Sequence, residues 1–231
     1  MSQLRHPLDE PHQRAPQHQP TSIRLEDVEY TYDAKTPWAH PALHGISLTI
    51  SGGDRLLVVG ENGSGKSTLA WILAGLFTPT AGTALLSGRP LTKQTQHLGL
   101  LIQHSRLQLL SPTVGEEFQT YGIAPEAAGF ALRQMGLGSD FYRRRLDELS
   151  VGQLRRVGLA ILFTRRCPVI ILDEPLAGLD KEGAAMIAAA TEALPTSTTV
   201  LTVTHDQKAS APLATEAIEL KDGAITGRWD V

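Results

Sequence analysis

With 231 residues, 42% of them hydrophobic, the chain is long enough for one or two domains and apolar enough to bury a core, which excludes a disordered or fibrous protein. Lys and Arg total 21 against 24 Asp and Glu, and the resulting net charge of -3 excludes nucleic-acid binding by bulk charge. No apolar run reaches the roughly 18 to 20 residues needed to cross a bilayer, and the start MSQLRHPLDE has no signal-peptide core, so a soluble cytoplasmic chain is expected.

Residues 1–20 are rich in Pro, Gln and His without apolar periodicity, which predicts a disordered tail; the spacing of His6, His12 and His18 fits no compact metal-ligand set. No repeat or second linker follows, so residues 21–231 are read as one unit. Val28, Tyr30 and Tyr32, then Ile46, Leu48 and Ile50, alternate with polar neighbours, as in a half-exposed antiparallel sheet. Leu56–Val59, Val169–Leu172 and Val200–Val203 are instead short continuous apolar runs, the pattern of parallel strands covered on both faces. The Ala-rich stretch 184–194 between the last two reads as helix, so strands alternate with helices and the fold class is α/β. Cys167, the single cysteine, lies just before an apolar run and is read as core filling. Asp222-Gly223, between IELK and AIT, predicts a hairpin in a region that has returned to antiparallel pairing.

After the strand at 56–59 comes GENGSGKST: Gly60, Glu61, Asn62, Gly63, Ser64, Gly65, Lys66, Ser67 and Thr68, followed by the helix-like LAWILAGL. The glycines let successive backbone N–H groups turn inward around phosphate oxygens, Lys66 brings a cation to the β- and γ-phosphates, and the helix adds its positive end. Ser67 is placed to bind Mg²⁺. An acidic partner should end a buried strand, and VIILDEP supplies Asp173 and Glu174. Mg²⁺ keeps much of its water, so Asp173 is read as meeting it through water, while Glu174, one step further, polarises an attacking water. In LSVGQLRRVGLA, Ser150 and Gln153 form a capping box, so a helix starts there with free N–H groups and with Gly152 allowing close approach; spacing alone leaves open whether this is a second anion site in one chain or simply a capped amphipathic helix. Thr113 and Glu116 form another such box, so a further helix begins there.

From about residue 22 onward the chain resembles the ATP-binding subunit of an ABC transporter: GENGSGKST resembles Walker A, LSVGQ the signature, and VIILDEP Walker B. Gln103 resembles the Q-loop glutamine, which reaches Mg²⁺ and the attacking water; Asp180 ends the D-loop; His205, at the end of VLTVT, resembles the switch histidine that holds the γ-phosphate or the water. Tyr32, with Tyr30 as a substitute, resembles the A-loop aromatic that stacks on adenine. The resemblance implies a P-loop NTPase with a RecA-like core, an antiparallel β subdomain and a helical subdomain at about 104–160. It also implies ATP and Mg²⁺ as ligands, with Ser67, Gln103 and Asp173 toward the metal. Two ATPs would be sandwiched between Walker A of one chain and Ser150, Gly152 and Gln153 of another, in a homodimer or a heterodimer with another ABC ATPase. Transmembrane transporter subunits are the further partners implied, at the cytoplasmic face of the membrane, with no nucleic acid expected. Val151 departs from the family, occupying the first Gly of S-G-G-Q. The stretch LIQHSRLQLLSPTVGEEF and the EPLAGLD motif resemble energy-coupling factor (ECF) ATPases, importers of vitamins and metal ions, although Gln103-His104 stands where Gln-Asn is usual. The rival reading is a soluble ABC ATPase acting on DNA or ribosomes; its usual coiled-coil insertion or second ATPase domain is not seen in this sequence.

Overall fold

Two kinds of strand sort into two sheets in the computed structural model, which describes residues 22–231. The tail read at 1–20 lies outside the described residues. The chain runs through β1 (Ile23–Tyr32), β2 (His40–Ile50), β3 (Arg55–Val59), α1 (Lys66–Leu73), β4 (Ala81–Leu86), β5 (Arg89–Pro90) and β6 (Leu98–Leu101). Next come α2 (Val114–Thr120), α3 (Pro125–Gln134), α4 (Val151–Thr164), β7 (Val169–Asp173) and α5 (Lys181–Glu192). The last elements are β8 (Thr199–Thr204), α6 (Gln207–Ser210), β9 (Glu216–Lys221) and β10 (Ala224–Asp230).

The alternating strands form an antiparallel sheet in the order β2-β1-β4-β5. Ile23 and Leu25 share the buried side with Val28, although an odd step separates Leu25 from Val28. A bulge absorbs the extra residue: the register shifts between Leu25 and Val28, and Asp27 takes φ 49° while its N–H donates to Ser47 Oγ at 3.0 Å. Without it, every residue beyond Leu25 would turn to the wrong face.

The continuous apolar runs form the second sheet, in the order β10-β9-β3-β8-β7-β6, parallel except for the edge strand β10. Both of its faces are covered. Val169 and Ile171 of β7 join the cluster containing Leu69, Ile72 and Leu73 of α1 and the inward face of the antiparallel sheet. Ile170 and Leu172 point the other way, into a cluster with Leu154, Val157 and Ile161 of α4, Ile187 of α5 and Phe118 of α2. A strand with no solvent face needs no polar alternation, which is why β7 reads as VIILD. Cys167 is buried in the second cluster, and burial pushes its thiol pKa up, as suits core filling.

The hairpin at Asp222-Gly223 joins β9 to β10, as its turn residues predict. The expectation that this region returns to antiparallel pairing holds for β10 alone, because β9 pairs in parallel with β3 and extends the central sheet. No described helix is long and apolar enough to cross a membrane.

Candidate active site

The carboxyl ends of β3 and β7 face one cavity of about 570 Å³, at the place where open α/β sheets bind ligands, and the end of β8 lines an adjoining hollow that shares Glu174 with it. The phosphate loop forms the floor of the cavity. Gly65 has φ 99°, and a Cβ there would stand 2.6 Å from the carbonyl oxygen of Ala42. At Gly60 a Cβ would meet the carbonyl of Leu220 at 2.2 Å. Larger residues would therefore push the loop off β2 and β9. The turn after β9 props the loop from behind, through Gly223 N–H donating to the carbonyl of Ser64 at 3.1 Å. Asn62, Gly63, Gly65, Ser67 and Thr68 line the cavity. Glu61 is exposed and contributes its carbonyl, while Ser64 is buried beneath the loop.

Lys66, at the start of α1, is buried, and its ammonium donates to the carbonyls of Gly60 and Glu61, both at 2.8 Å. An ammonium has three donors, so one remains for a phosphate oxygen. Burial lowers the Lys66 pKa, while the nearby Glu174 and Asp173 carboxylates work in the opposite direction. Asp173 ends β7 with 3% exposure. Burial pushes its pKa up to about 6, against a hydrogen bond from Ser67; Glu174 adds to the rise, and Lys66 and Arg155 oppose it.

Glu174 follows with φ 51°, an uncommon backbone conformation for this residue type. Its N–H donates to Val203 O at 2.8 Å and extends the β7–β8 pairing past the strand end. Its carboxylate takes a hydrogen bond from Thr204 Oγ1 at 3.0 Å and one from His205 N–H at 2.9 Å, and lies 2.7 Å from His205 Nδ1. The His205 side chain is 57% exposed, so the pair runs from a buried carboxylate to an accessible ring. Thr204, which fixes the carboxylate, was not picked out from sequence; its hydroxyl is hidden in the apolar run VLTVT.

Gln103 lines the same cavity beyond the end of β6. Tyr32 also lines it, its hydroxyl 2.9 Å from Thr68 Oγ1. Tyr30 packs edge-on to Tyr32, with ring centroids 4.9 Å apart, and stacks on Phe77. Of these two tyrosines, Tyr32 lines the cavity and Tyr30 packs against it.

Ser150, Val151, Gly152 and Gln153 do not line this cavity. The capping box is present: Gln153 N–H donates to Ser150 Oγ at 3.2 Å, and Ser150 N–H donates to Gln153 Oε1 at 2.9 Å. The Ser150 N–H and the Gln153 side chain, both expected at a nucleotide, are thus engaged with each other. Val151 is 69% exposed at the first position of α4, and a Cβ on Gly152 would stand 3.3 Å from Leu179. Asp180 caps α5 by accepting from Gly183 N–H at 2.8 Å.

Arg155, unremarked in the sequence, is buried on α4. Its guanidinium donates to the carbonyl of Gln103 at 2.7 Å and to that of Ala177. Burial lowers its pKa, and Glu174 and Asp173 oppose that fall. The available signal is an arginine adjoining the apolar stripe of Leu154, Val157 and Ile161.

The sequence profile of the family described as "ABC transporter" matches residues 43–177. An uncharacterised ABC transporter ATP-binding protein of Mycobacterium tuberculosis (strain H37Rv) is 41% identical over 222 residues, 91% of this chain. The chain spans 31% of the length of that relative. The energy-coupling factor transporter ATP-binding protein EcfA2 of Streptococcus pyogenes is 36% identical over 179 residues, 70% of this chain and 64% of its own length. The solved structure of cbiO1 from Clostridium perfringens, described as part of the ABC transporter complex cbiONQ, matches with a TM-score of 0.76 at 26% identity, covering 92% of this chain and 89% of that one. The ATP-binding cassette MJ0796, solved as a dimer in a post-hydrolysis state with ADP and Pi, matches with a TM-score of 0.81 at 26% identity, covering 90% of this chain and 98% of its own.

Proposed function

The chain belongs to the ABC transporter family, and on that premise we propose that it binds and hydrolyses ATP as the motor subunit of a membrane transporter. One observation carries the proposal: one cavity gathers Lys66, Asp173 and Glu174 beyond the carboxyl ends of β3 and β7, and the Glu174 carboxylate on its wall pairs with His205 in the adjoining hollow. In this reading residues 21–231 form the ATPase unit, with a helical subdomain at about 104–160.

The residues on the cavity wall fit Mg²⁺. Ser67 and Asp173 offer hard oxygen donors there, and the Asp173 carboxylate is buried with its pKa raised, as expected of a group short of positive charge. Ser67, Asp173 and Gln103 would hold the ion or its waters, and the ion would supply charge neutralisation at the β- and γ-phosphate oxygens. Lys66 and the loop N–H groups bind the phosphates, while Tyr32 offers its ring to adenine. Glu174, oriented by Thr204 and His205, takes the proton of the attacking water, and His205 steadies the γ-phosphate side.

The signature helix start lies outside this cavity, and that supports a head-to-tail pair in which it closes over the nucleotide of a second chain. The second chain is another copy of this one or a different ABC ATPase. The likeness to EcfA2 and to cbiO1 supports an ECF-type importer of a vitamin or metal ion. The exposed Leu107 and Leu110, beside the hollow lined by Arg106 and Arg145, support a docking face for transmembrane subunits, placing the chain peripherally on the cytoplasmic side of the membrane.

Glu174→Gln tests the chemistry. Turnover should fall on the order of 10²–10⁴-fold with ATP binding kept and an ATP-dependent dimer accumulating; turnover near wild type removes Glu174 as the base. Co-purification in mild detergent tests the coupling: retained transmembrane subunits, one of them substrate-binding, are expected, and recovery with ribosomes or DNA instead would overturn it.

A further inference from the structure

Arg155 is an expensive residue in its position. It is 3% exposed, and its Nε has no hydrogen-bond partner among the described residues. Burying a charge costs free energy unless it is paired and hydrogen-bonded. What the guanidinium does is join three segments. It is anchored on α4, five residues after the cap Ser150. One nitrogen holds the carbonyl of Gln103, at the end of the β6 segment, and the other holds the carbonyl of Ala177, three residues past Glu174.

The same helix also approaches the same loop closely at its start, since a Cβ on Gly152 would stand 3.3 Å from Leu179, next to Asp180. The start of α4 thus lies against the stretch running from Glu174 to Asp180 and is tied to it, and to Gln103, through Arg155. A planar fork suits this task because its donors reach two carbonyls on different segments at once, whereas a lysine ammonium acts as one compact point charge. The carboxylates of Asp173 and Glu174 lie close enough to favour the cation.

We infer that Arg155 is a positioning residue coupling the two nucleotide sites of the dimer: seating of the α4 start on one nucleotide is passed through its guanidinium to Gln103 and the 174–180 loop beside the other. The inference rests on the ATPase reading above. It assigns Arg155 no contact with nucleotide, so binding and turnover should separate when it is changed.

The experiment compares wild type with Arg155→Gln and Arg155→Lys in the full chain, alone and with its co-purified membrane subunits. For both variants the affinity of the single chain for a fluorescent ATP analogue and the KM for ATP should stay within about threefold of wild type, while kcat falls by about tenfold or more, the scale of loss expected when reacting groups are misplaced. Amide hydrogen exchange should quicken at residues 102–104 and 175–180. Arg155→Lys keeps the cation and should keep a melting temperature near wild type, yet not restore kcat. Wild-type kcat in either variant that remains folded overturns the inference, as does a kcat loss matched by loss of folded protein. Restoration of kcat by lysine overturns the bridging role. A wild-type complex without ATPase activity is a different failure: it removes the ATPase reading, and the inference with it.

Discussion

Replacing Asp173 by Asn should stabilise the chain, and only above mildly acidic pH. The carboxyl sits at the end of β7 with 3% exposure, and its pKa stands at about 6 against an ordinary 3.8, chiefly because burial disfavours the charged form. The native state therefore holds this proton more tightly than the unfolded chain. Its contribution to stability is fully present below the unfolded value and is lost as pH rises through about 6. A rise of about 2 units, at 1.36 kcal/mol each, means that the ionised carboxylate costs the fold about 3 kcal/mol at neutral pH. Asn has nearly the same shape and does not titrate. Urea denaturation in EDTA without nucleotide, at intervals from pH 4 to 8, should show the Asn variant gaining about 3 kcal/mol on wild type across that range, a melting-temperature difference of roughly 6–12 °C in a domain of this size. ATPase activity should fall in the same variant, since the gain removes a group needed by the metal. A stability difference that is flat with pH, or that grows as pH falls, would refute the argument.

Tyr32→Phe should change ATP affinity little, because the ring is kept and only the hydroxyl contact to Thr68 is lost; Tyr32→Ala should cost about 1–3 kcal/mol of binding, read by titration with a fluorescent nucleotide. Ser150→Ala removes an acceptor seen at 3.2 Å from Gln153 N–H and should lower stability by about 0.5–2 kcal/mol in denaturant melts, with kcat falling further than stability explains. Val151→Gly takes away an exposed branched side chain at the start of α4. It should strengthen ATP-driven dimerisation by about two- to fivefold in analytical ultracentrifugation, with single-chain nucleotide affinity unchanged.

Much of this architecture was legible because local chemistry and fold agree. The runs at Leu56–Val59 and Val169–Leu172 could be read as strands covered on both faces because every residue in them is buried. Both capping boxes were legible from spacing, since Thr113 with Glu116 and Ser150 with Gln153 are each three residues apart and need no tertiary information. What escaped depends on residues far away in sequence. The bulge at Asp27 exists because β1 must bury Ile23 and Val28 on one side, a demand set by the elements packed against that side. The parallel pairing of β9 with β3 joins residues some 160 positions apart, which no turn signal reports. Arg155 reads as an ordinary helix charge until α4 is placed against Gln103 and Ala177.

The same placement bears on the proposed sharing of one site between two chains. A helix start leaves its first N–H groups without intrahelical partners. In α4 the capping box satisfies two of the early donors, those of Ser150 and Gln153, and leaves the N–H groups of Val151 and Gly152 between them. Those two belong to a helix start that carries the exposed Val151 and lies outside the cavity holding Lys66 and Asp173. Donors and dipole at one place, and lysine with carboxylates at another, cannot act on one triphosphate within a single rigid chain. They can act together when a second chain brings its own α4 to the first chain's cavity. Phosphoryl transfer depends mainly on where charge is placed, so closing and opening of the pair is the step at which ATP can do mechanical work. In the proposed function, hydrolysis then removes the γ-phosphate that both chains would hold. In that function, separating the two halves of the site would tie the energy of ATP to movement between chains, and the internal link at Arg155 would let each half sense the other.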